Sequence, residues 1–559
     1  MDAAFPQGDR LTGETFAPRS PVVARQGMVC TSQPLAASIG LDVLKAGGSA
    51  VDAAIATNAA LGLMEPTGSG VGGDLFALVW MNEERRLYGL NGSGRAPKGM
   101  TLENLKEKLG EQDADHIPLR SAFSVSVPGC VDGWFSLHER FGRLPMEDLL
   151  APAIEAAREG FPVTEVIAYY WGSAPRAYRG FDEFERVFLP EGRSPKEGEI
   201  FRNPDLAKTY EAIARRGREG FYEGPVAEAI VAAVVEAGGA LALDDLKDHR
   251  SEWVEALSVP YRGYEVWELP PNGQGIAALQ MLRILEGFDL TSMGFGSAQA
   301  THVQVEAKKL VYEDRARFYA DPSFSSVPLE GLLSEEYAKV RRALMDQDHA
   351  AQKVRHGDPT LQDGDTVYLT VADAEGNVVS WIQSNYTGFG SGIVPSGTGF
   401  CLQNRGNLFH LDSSHPNAYA PGKRPFHTII PAMMTREGQP VLSFGVMGGA
   451  MQPQGHVQIV TNLIDFGMNV QEAGDAPRWR HDGSSEPTGV LSQDGGVVHL
   501  ESQFRDVGSD LSDRGHRVVI DAGGYGGYQG IWIEAIGDEA ARIYRGGSES
   551  RKDGLAIGY

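Results

Sequence analysis

The stretch that begins at Gly364, GDTVYLTVADAEGNVVSWIQSNYTGFGSGIVP, constrains the chain most tightly. Residues 366–372 are rich in β-branched and aromatic side chains and predict a strand. Asp373 to Asn377 carry turn chemistry, with Gly376 suited to positive φ. Residues 378–384 predict the returning strand. If the intervening five residues form the loop, Ala372 faces Val378 and, counting back, Thr366 faces Ser384. Directly opposed residues hold their Cβ atoms about 5 Å apart, so two hydroxyls would meet at the open end of the hairpin. A one-residue slip would put Asn385 there and turn Ser384 to the other face. On the pattern alone, a threonine chosen for its β-branched side chain explains the position more simply.

Length and charge narrow the classes. With 559 residues the chain can build a large layered core or two domains. Its 42% apolar and 22% charged content is that of a globular protein. A formal charge of −24 argues against nucleic acid or an anionic membrane as partner. Cys30, Cys130 and Cys401 are far apart and form no CxxC pair, which excludes a disulfide scaffold and a four-cysteine zinc site. The first twenty residues contain no apolar h-region and no run of 18 apolar residues occurs, so the cytoplasm is the expected address.

Two helices separated by Gly47 and Gly48 are predicted over residues 34–63, with Gly47 as the C-cap. The following EPTGSGVGGDLFALVW formally matches GxGxxG at Gly68, Gly70 and Gly73. A dinucleotide site needs a strand before those glycines and a helix after them. Here the order is reversed, and a tight loop with close backbone packing is expected. LYGLNGSGRAP predicts a strand running into a loop that carries Arg95, and SAFSVSVPGCVDGW predicts a strand and turn. Residues 183–204 read as loop. Helices are predicted over 146–158, 226–237, 244–248, 276–285, 298–318 and 456–466. On the 298–318 helix, His302 and Glu306 share a face, a pattern expected of a surface hydrogen bond more than of a metal site. Residues 343–365 form a polar segment without hydrophobic period, which suits an ordinary surface linker as well as a loop whose end must move away from a site. KRPFHTIIPAM and QPVLSFGVMGGAM predict adjacent strands, and the N–H groups of Gly448 and Gly449 could face a developing oxyanion.

Taken in order, AGGSAVDAAIA, EPTGSGVGGDLFA, SVPGCVDGW, PYRGYEV, EDRARFYADP, GDTVYLTVADAEGNVVS, APGKRPFHTIIP, GVMGGAMQPQGHVQIVTNLIDFGMNVQEAGDAPRW and DGLAIGY resemble the γ-glutamyltranspeptidase family along nearly the whole chain. The resemblance implies an α+β fold, the four-layer αββα sandwich of N-terminal nucleophile hydrolases. It implies self-cleavage between Asp365 and Thr366 into a large subunit, 1–365, and a small one, 366–559, which stay folded together as an αβ heterodimer. Further dimerisation is left open. Thr366 is then nucleophile and, through its new α-amine, base. That amine has a reference pKa of about 7.7–8.0, well matched to neutral pH. Ser384 matches the family's second hydroxyl, and Gly448 and Gly449 its oxyanion donors. The substrate implied is a small-molecule amide, and no cofactor or metal is expected.

The residues that grip a γ-glutamyl head depart from the family's pattern. Ser93 stands where its arginine would be, with Arg95 two places on. Asn385 and Tyr386 occupy the region of its asparagine. The amine-binding motif reads NRGNLF from Asn404 to Phe409, with Leu408 in place of the aspartate. Its paired serines are His427 and Thr428. An ammonium there loses its carboxylate partner, which is costly in a buried site. Weak recognition of a free γ-glutamyl group is expected. Arg95, Arg405, Arg424 and His427 leave room for an acidic or dicarboxylate-like acyl group, as in the branch that includes cephalosporin-acylase-type and oxamate-amidohydrolase-type members. The alternatives are a genuine γ-glutamyl transferase or glutathione hydrolase, and an uncleaved, inactive member with a binding role.

Overall fold

In the computed structural model, which describes residues 12–110, 115–354, 365–492, 494–536 and 541–559 (Asp365 and Arg505 by backbone alone), the strand Asp365–Ala372 lies at the middle of a seven-stranded sheet. It pairs antiparallel with Val378–Tyr386 on one side and Met28–Thr31 on the other. The sheet continues through Asp74–Met81, Arg86–Gly92 and Glu252–Val254, with Leu555–Gly558 at the opposite edge. A second sheet of seven strands runs Val22–Ala24, Ala541–Ser548, Tyr528–Ile536, Gln439–Val446, Ala432–Arg436, Tyr264–Glu268 and Leu257–Tyr261.

Alternation along the strands builds four layers. In Asp74–Met81, Leu75, Ala77 and Val79 pack with the helices Pro34–Lys45, Ala50–Met64, Cys130–Phe141 and Met146–Glu159. Phe76, Leu78 and Trp80 turn the other way and meet Met433, Ile531 and Tyr544 between the sheets. The outer face of the second sheet, including Val266, Met434 and Phe444, is covered by Gly275–Leu285, Ala298–Phe318 and Met451–Ile464. A side-chain period of two buries both faces of each central strand, which explains their near-continuous apolar character. The αββα arrangement is the expected one. Both sheets interleave strands from before and after residue 365, so the two segments cannot separate without breaking ladders.

Most elements match the expected ones. The Gly47 turn adopts φ +93°, and Ser49 caps the second helix in a capping box with Asp52. Three stretches differ. Residues 121–134 hold a short 3-10 turn at Ala122–Ser124 and then the helix Cys130–Phe141, whose buried face of Val131, Trp134, Leu137 and Phe141 has helical spacing. The 183–204 region contains the helix Asp182–Phe188, held by Phe184, Val187 and Phe188 in an aromatic cluster with Trp171 and Phe389. Residues 423–431 precede the strand Ala432–Arg436 and join no ladder, apart from an isolated bridge between His427 and Gly273. Of the 343–365 segment, 355–364 lie outside the described residues. Among the described residues no helix is long and apolar enough to cross a membrane.

Candidate active site

Ladder pairing sets Ala372 opposite Val378 and Val367 opposite Gln383, the register that the five-residue loop predicts. The next pair is Asp365 with Tyr386, so the register shifts at Thr366. Bulges of this kind re-aim a side chain at the end of a strand. Thr366 Oγ1 donates to Ser384 Oγ at 3.4 Å, with both residues buried. The Tyr386 N–H donates to the same Ser384 oxygen at 2.8 Å, and Tyr386 itself adopts φ +83°. Such backbone costs of order 1–3 kcal/mol in a non-glycine residue and persists where the surroundings enforce it.

The glycine-rich loop closes over Thr366. A Cβ on Gly68 would stand 3.1 Å from Thr366 N and 3.3 Å from its carbonyl carbon, so a side chain here would crowd the Thr366 backbone. The Gly68 carbonyl accepts from Asn385 N at 3.2 Å, and Asn385 Nδ2 donates to the Ser69 carbonyl at 3.2 Å. Gln383 clamps Gly70 from both sides, accepting its N–H at 3.0 Å and donating to its carbonyl at 2.7 Å. The loop lies between a helix and a strand in that order, as expected, and serves packing around Thr366.

Gly448 and Gly449 follow Gln439–Val446 with φ +111° and +55°. Neither N–H donates a hydrogen bond to another described residue, although Gly449 is buried. A buried donor without a partner is rare and marks a place for a ligand. Gly448 lines a cleft of about 540 Å³ together with Thr67, Tyr178, Thr387, Arg120 and Lys552. Thr67 adjoins Gly68 in sequence, but Gly68, Thr366 and Ser384 do not line the cleft. A second cavity of about 1150 Å³ shares Leu119 and Arg120 with it and includes Tyr386. A groove of about 1010 Å³ around Arg262, Asp465 and Trp532 shares no lining residue with either.

Beside Tyr386 stands Arg405, fully buried, its guanidinium 4.6 Å from the Tyr386 ring centroid. Arg405 Nη1 donates to Thr428 Oγ1 at 2.6 Å, while its Nε and Nη2 have no hydrogen-bond partner among the described residues. Burial lowers its pKa to about 10, opposed by Asp74 and Tyr386. His427 Nε2 lies 3.0 Å from Asp74 Oδ2, and the other Asp74 oxygen accepts from Gly94 N at 2.9 Å and Gln403 Nε2 at 2.8 Å. Burial holds His427 neutral, well below its usual pKa, and pushes the Asp74 carboxyl up to about 7 against the pull of Arg405. Asn404 pins the loop after the returning strand, with Nδ2 donating to Thr387 Oγ1 at 2.6 Å and Oδ1 accepting from Thr387 N at 3.2 Å. Leu408 is buried in the apolar core with Tyr386 and Phe426.

Two of the expected arginines are engaged elsewhere. Arg95 Nη2 pairs with Glu252 at 2.7 Å, and its Nη1 reaches Asp321 at 3.5 Å and the Gly422 carbonyl at 3.1 Å. Arg424 meets the same Glu252 at 2.9 Å and donates from Nε to the Ser93 carbonyl at 3.1 Å. Their charges are balanced within that cluster, although Arg424 Nη2, like Arg405 Nε and Nη2, has no hydrogen-bond partner among the described residues.

Residues 36–559 match the family described as gamma-glutamyltranspeptidase. A glutathione hydrolase-like YwrD proenzyme of Bacillus subtilis (strain 168) is 37% identical over 96% of this chain and 99% of its own length. An acylase ACY 1 proenzyme of Pseudomonas sp. (strain V22) is 34% identical over 90% of this chain and 88% of its own. The crystal structure of cephalosporin acylase from Bacillus halodurans is 44% identical, with a TM-score of 0.88 over 100% of this chain and 99% of that one. The chain belongs to the γ-glutamyltranspeptidase family. It is an enzyme with the N-terminal nucleophile hydrolase fold, a self-processing amidohydrolase or acyltransferase.

Reading the sequence does not single out Asp74, which the fold sets beside His427, nor Gln274 and Arg315. Asp74 carries a usable signal, an acid opening the otherwise apolar strand LFALVW. Gln274 lies outside the segments that resemble the family and Arg315 inside EDRARFYADP, and neither has a local pattern to mark it. The His302–Glu306 pair is buried, not on the surface, and His516 joins it, with His302 Nδ1 2.8 Å from His516 Nε2. Lys309 Nζ sits 2.7 Å from Glu306 Oε1, and His302 Nε2 donates to the Asp346 carbonyl at 2.8 Å. These contacts pair the Glu306 charge with Lys309 and link Asp346, through His302, to His516.

Proposed function

We propose that Thr366 is the nucleophile of both self-cleavage and turnover. Its Oγ attacks the Asp365 carbonyl carbon, the Asp365–Thr366 C–N bond breaks, and the Thr366 nitrogen leaves as an amine carrying the hydroxyl's proton. Water then opens the resulting ester, giving the Asp365 carboxylate and a free Thr366 hydroxyl. In turnover that α-amine takes the Oγ proton and passes it to the leaving amine. Gly448 and Gly449 N–H groups hold the oxyanion, a role in which one donor contributes about 3 kcal/mol. Ser384 orients Thr366 Oγ1. The observation that carries this reading is the hydroxyl contact of 3.4 Å at a register shift covered by Gly68.

The acyl group favoured is one with a remote carboxylate. Arg405 supports this, because two buried N–H-bearing atoms have no partner and a dicarboxylic half-amide would satisfy them. The Leu408 position supplies no acid for a γ-glutamyl ammonium. The test is a panel of succinyl, glutaryl, butyryl and γ-glutamyl 4-nitroanilides with and without glycylglycine. Faster release from the succinyl or glutaryl compound, unaltered by glycylglycine, is the expected result. Preference for the γ-glutamyl compound, accelerated by glycylglycine, would favour a γ-glutamyl transferase.

A further inference from the structure

Oxyanion donors act only if their N–H groups are already aimed, since a mobile pair must reorganise during the reaction. Two consecutive glycines at positive φ are the least self-supporting backbone available for that task. The Gly448–Gly449 turn is held from outside, by groups far away in sequence. Gln274 Nε2 donates to the Gly449 carbonyl at 2.9 Å and also to the Thr428 carbonyl at 2.7 Å. One amide thus fastens the turn to the segment whose Thr428 hydroxyl meets Arg405. Gln274 Oε1 in turn accepts from Arg315 Nη1 at 2.5 Å, and Arg315 Nη2 is ion-paired with Glu486. The next carbonyl along, that of Ala450, accepts the Tyr312 hydroxyl.

Tyr312 and Arg315 are one turn apart on the helix Ala298–Phe318, with the Arg315 guanidinium 3.8 Å from the Tyr312 ring centroid and Lys308 Nζ 3.9 Å from it. All of these side chains are buried. A solvated loop needs no such support, and desolvating an arginine, a glutamate and an amide to provide it is costly.

We propose that Gln274, Tyr312 and Arg315 are positioning residues that fix the Gly449 and Ala450 carbonyls and thereby aim the Gly448 and Gly449 N–H groups. The proposal rests on the reading of Gly448–Gly449 as the oxyanion site. It assigns the inward face of the Ala298–Phe318 helix a part in transition-state stabilisation, although none of the three side chains touches substrate.

Tyr312→Phe keeps the ring and removes one donor, and Gln274→Glu keeps the acceptor for Arg315 while replacing the amide donor. Both are compared with wild type in the processed enzyme, with glutaryl 4-nitroanilide as substrate and 4-boronobutanoic acid as a tetrahedral mimic. Each variant is expected to lower kcat about tenfold or more with KM within about twofold, and to weaken the boronate in parallel. Thermal unfolding identifies a variant that fails to fold, in which case Arg315→Lys, which keeps the charge but not the two-point fork, takes its place with the same expectations. Unchanged kcat and boronate affinity would overturn the proposal, as would a fall in kcat with boronate affinity intact. A wild-type protein that hydrolyses no anilide would instead sink the reading of the site, and the positioning role with it.

Discussion

Thr366 Oγ1 and Ser384 Oγ meet at 3.4 Å where the hairpin register shifts by one residue. The Tyr386 N–H on the Ser384 oxygen fixes which way that hydroxyl can turn. Ser384→Ala should therefore slow both self-cleavage and turnover by about tenfold to a hundredfold, the range expected for one lost hydrogen bond of 1–3 kcal/mol. A time course of precursor on a denaturing gel, with kcat on an anilide, checks it. Wild-type rates would remove Ser384 from the mechanism.

Gly68 leaves room for Thr366 and nothing more. Gly68→Ala would set a methyl 3.1 Å from Thr366 N, against backbone rather than a flexible side chain. Processing should slow by at least tenfold while thermal unfolding shifts by only a few degrees. Rapid, complete processing of that variant would show that the loop can give.

Leu408 occupies the motif position where the γ-glutamyl enzymes of the family carry an acid, and the simple expectation is that Leu408→Asp restores their specificity. The structure argues otherwise, because Leu408 is buried among apolar side chains. An aspartate there should cost about 3 kcal/mol or more. The predicted outcome is a large drop in Tm without γ-glutamyl hydrolysis, measured by calorimetry and the anilide panel.

Arg405→Met removes a guanidinium whose Nε and Nη2 have no partner among the described residues, while keeping much of its volume. It should reduce kcat/KM for glutaryl 4-nitroanilide about tenfold to a hundredfold, with little effect on the butyryl compound. Equal losses on both would mean that Arg405 supports the fold around Tyr386 and does not select the acyl group.

Lys308 provides a pH signature. Burial pushes its pKa down to about 7, with the neighbouring Arg315 acting in the same direction. An unfolded lysine keeps its proton to about 10.4. Between those values the unfolded chain holds more protons, so this group's contribution to stability rises with pH from about 7 to about 10. Lys308→Met abolishes that rise, and the variant's Tm relative to wild type should therefore fall steadily across the interval. A gap that does not change with pH would mean that Lys308 stays protonated in the folded protein.

Much of the fold was legible because its signals are local. The hairpin loop of Asp373 to Asn377 fixed the register by counting, and glycine pairs such as Gly47 and Gly48 marked where helices end. The start of the helix at Cys130 reads as a turn because Ser124, Val125, Ser126 and Val127 alternate like a strand just before it, although Ser124 ends the 3-10 turn and residues 125–127 join no strand. The site divided along the same line. Thr366, Ser384 and the Gly448–Gly449 turn sit in short motifs, whereas Asp74, Gln274 and Arg315 matter through contacts that span up to hundreds of residues. Arg95 and Arg405 looked alike in sequence; the carboxylates of Glu252 and Asp321 that distinguish them come from distant segments.

The most direct test of the account is the intact mass of the purified protein, with N-terminal sequencing, beside that of Thr366→Ala. Wild type should give two fragments, residues 1–365 and 366–559, the second beginning Thr-Val-Tyr, while the variant stays one inactive chain of 559 residues. A wild-type chain that remains whole yet hydrolyses amides, or a Thr366→Ala chain that still cleaves at this bond, would contradict it.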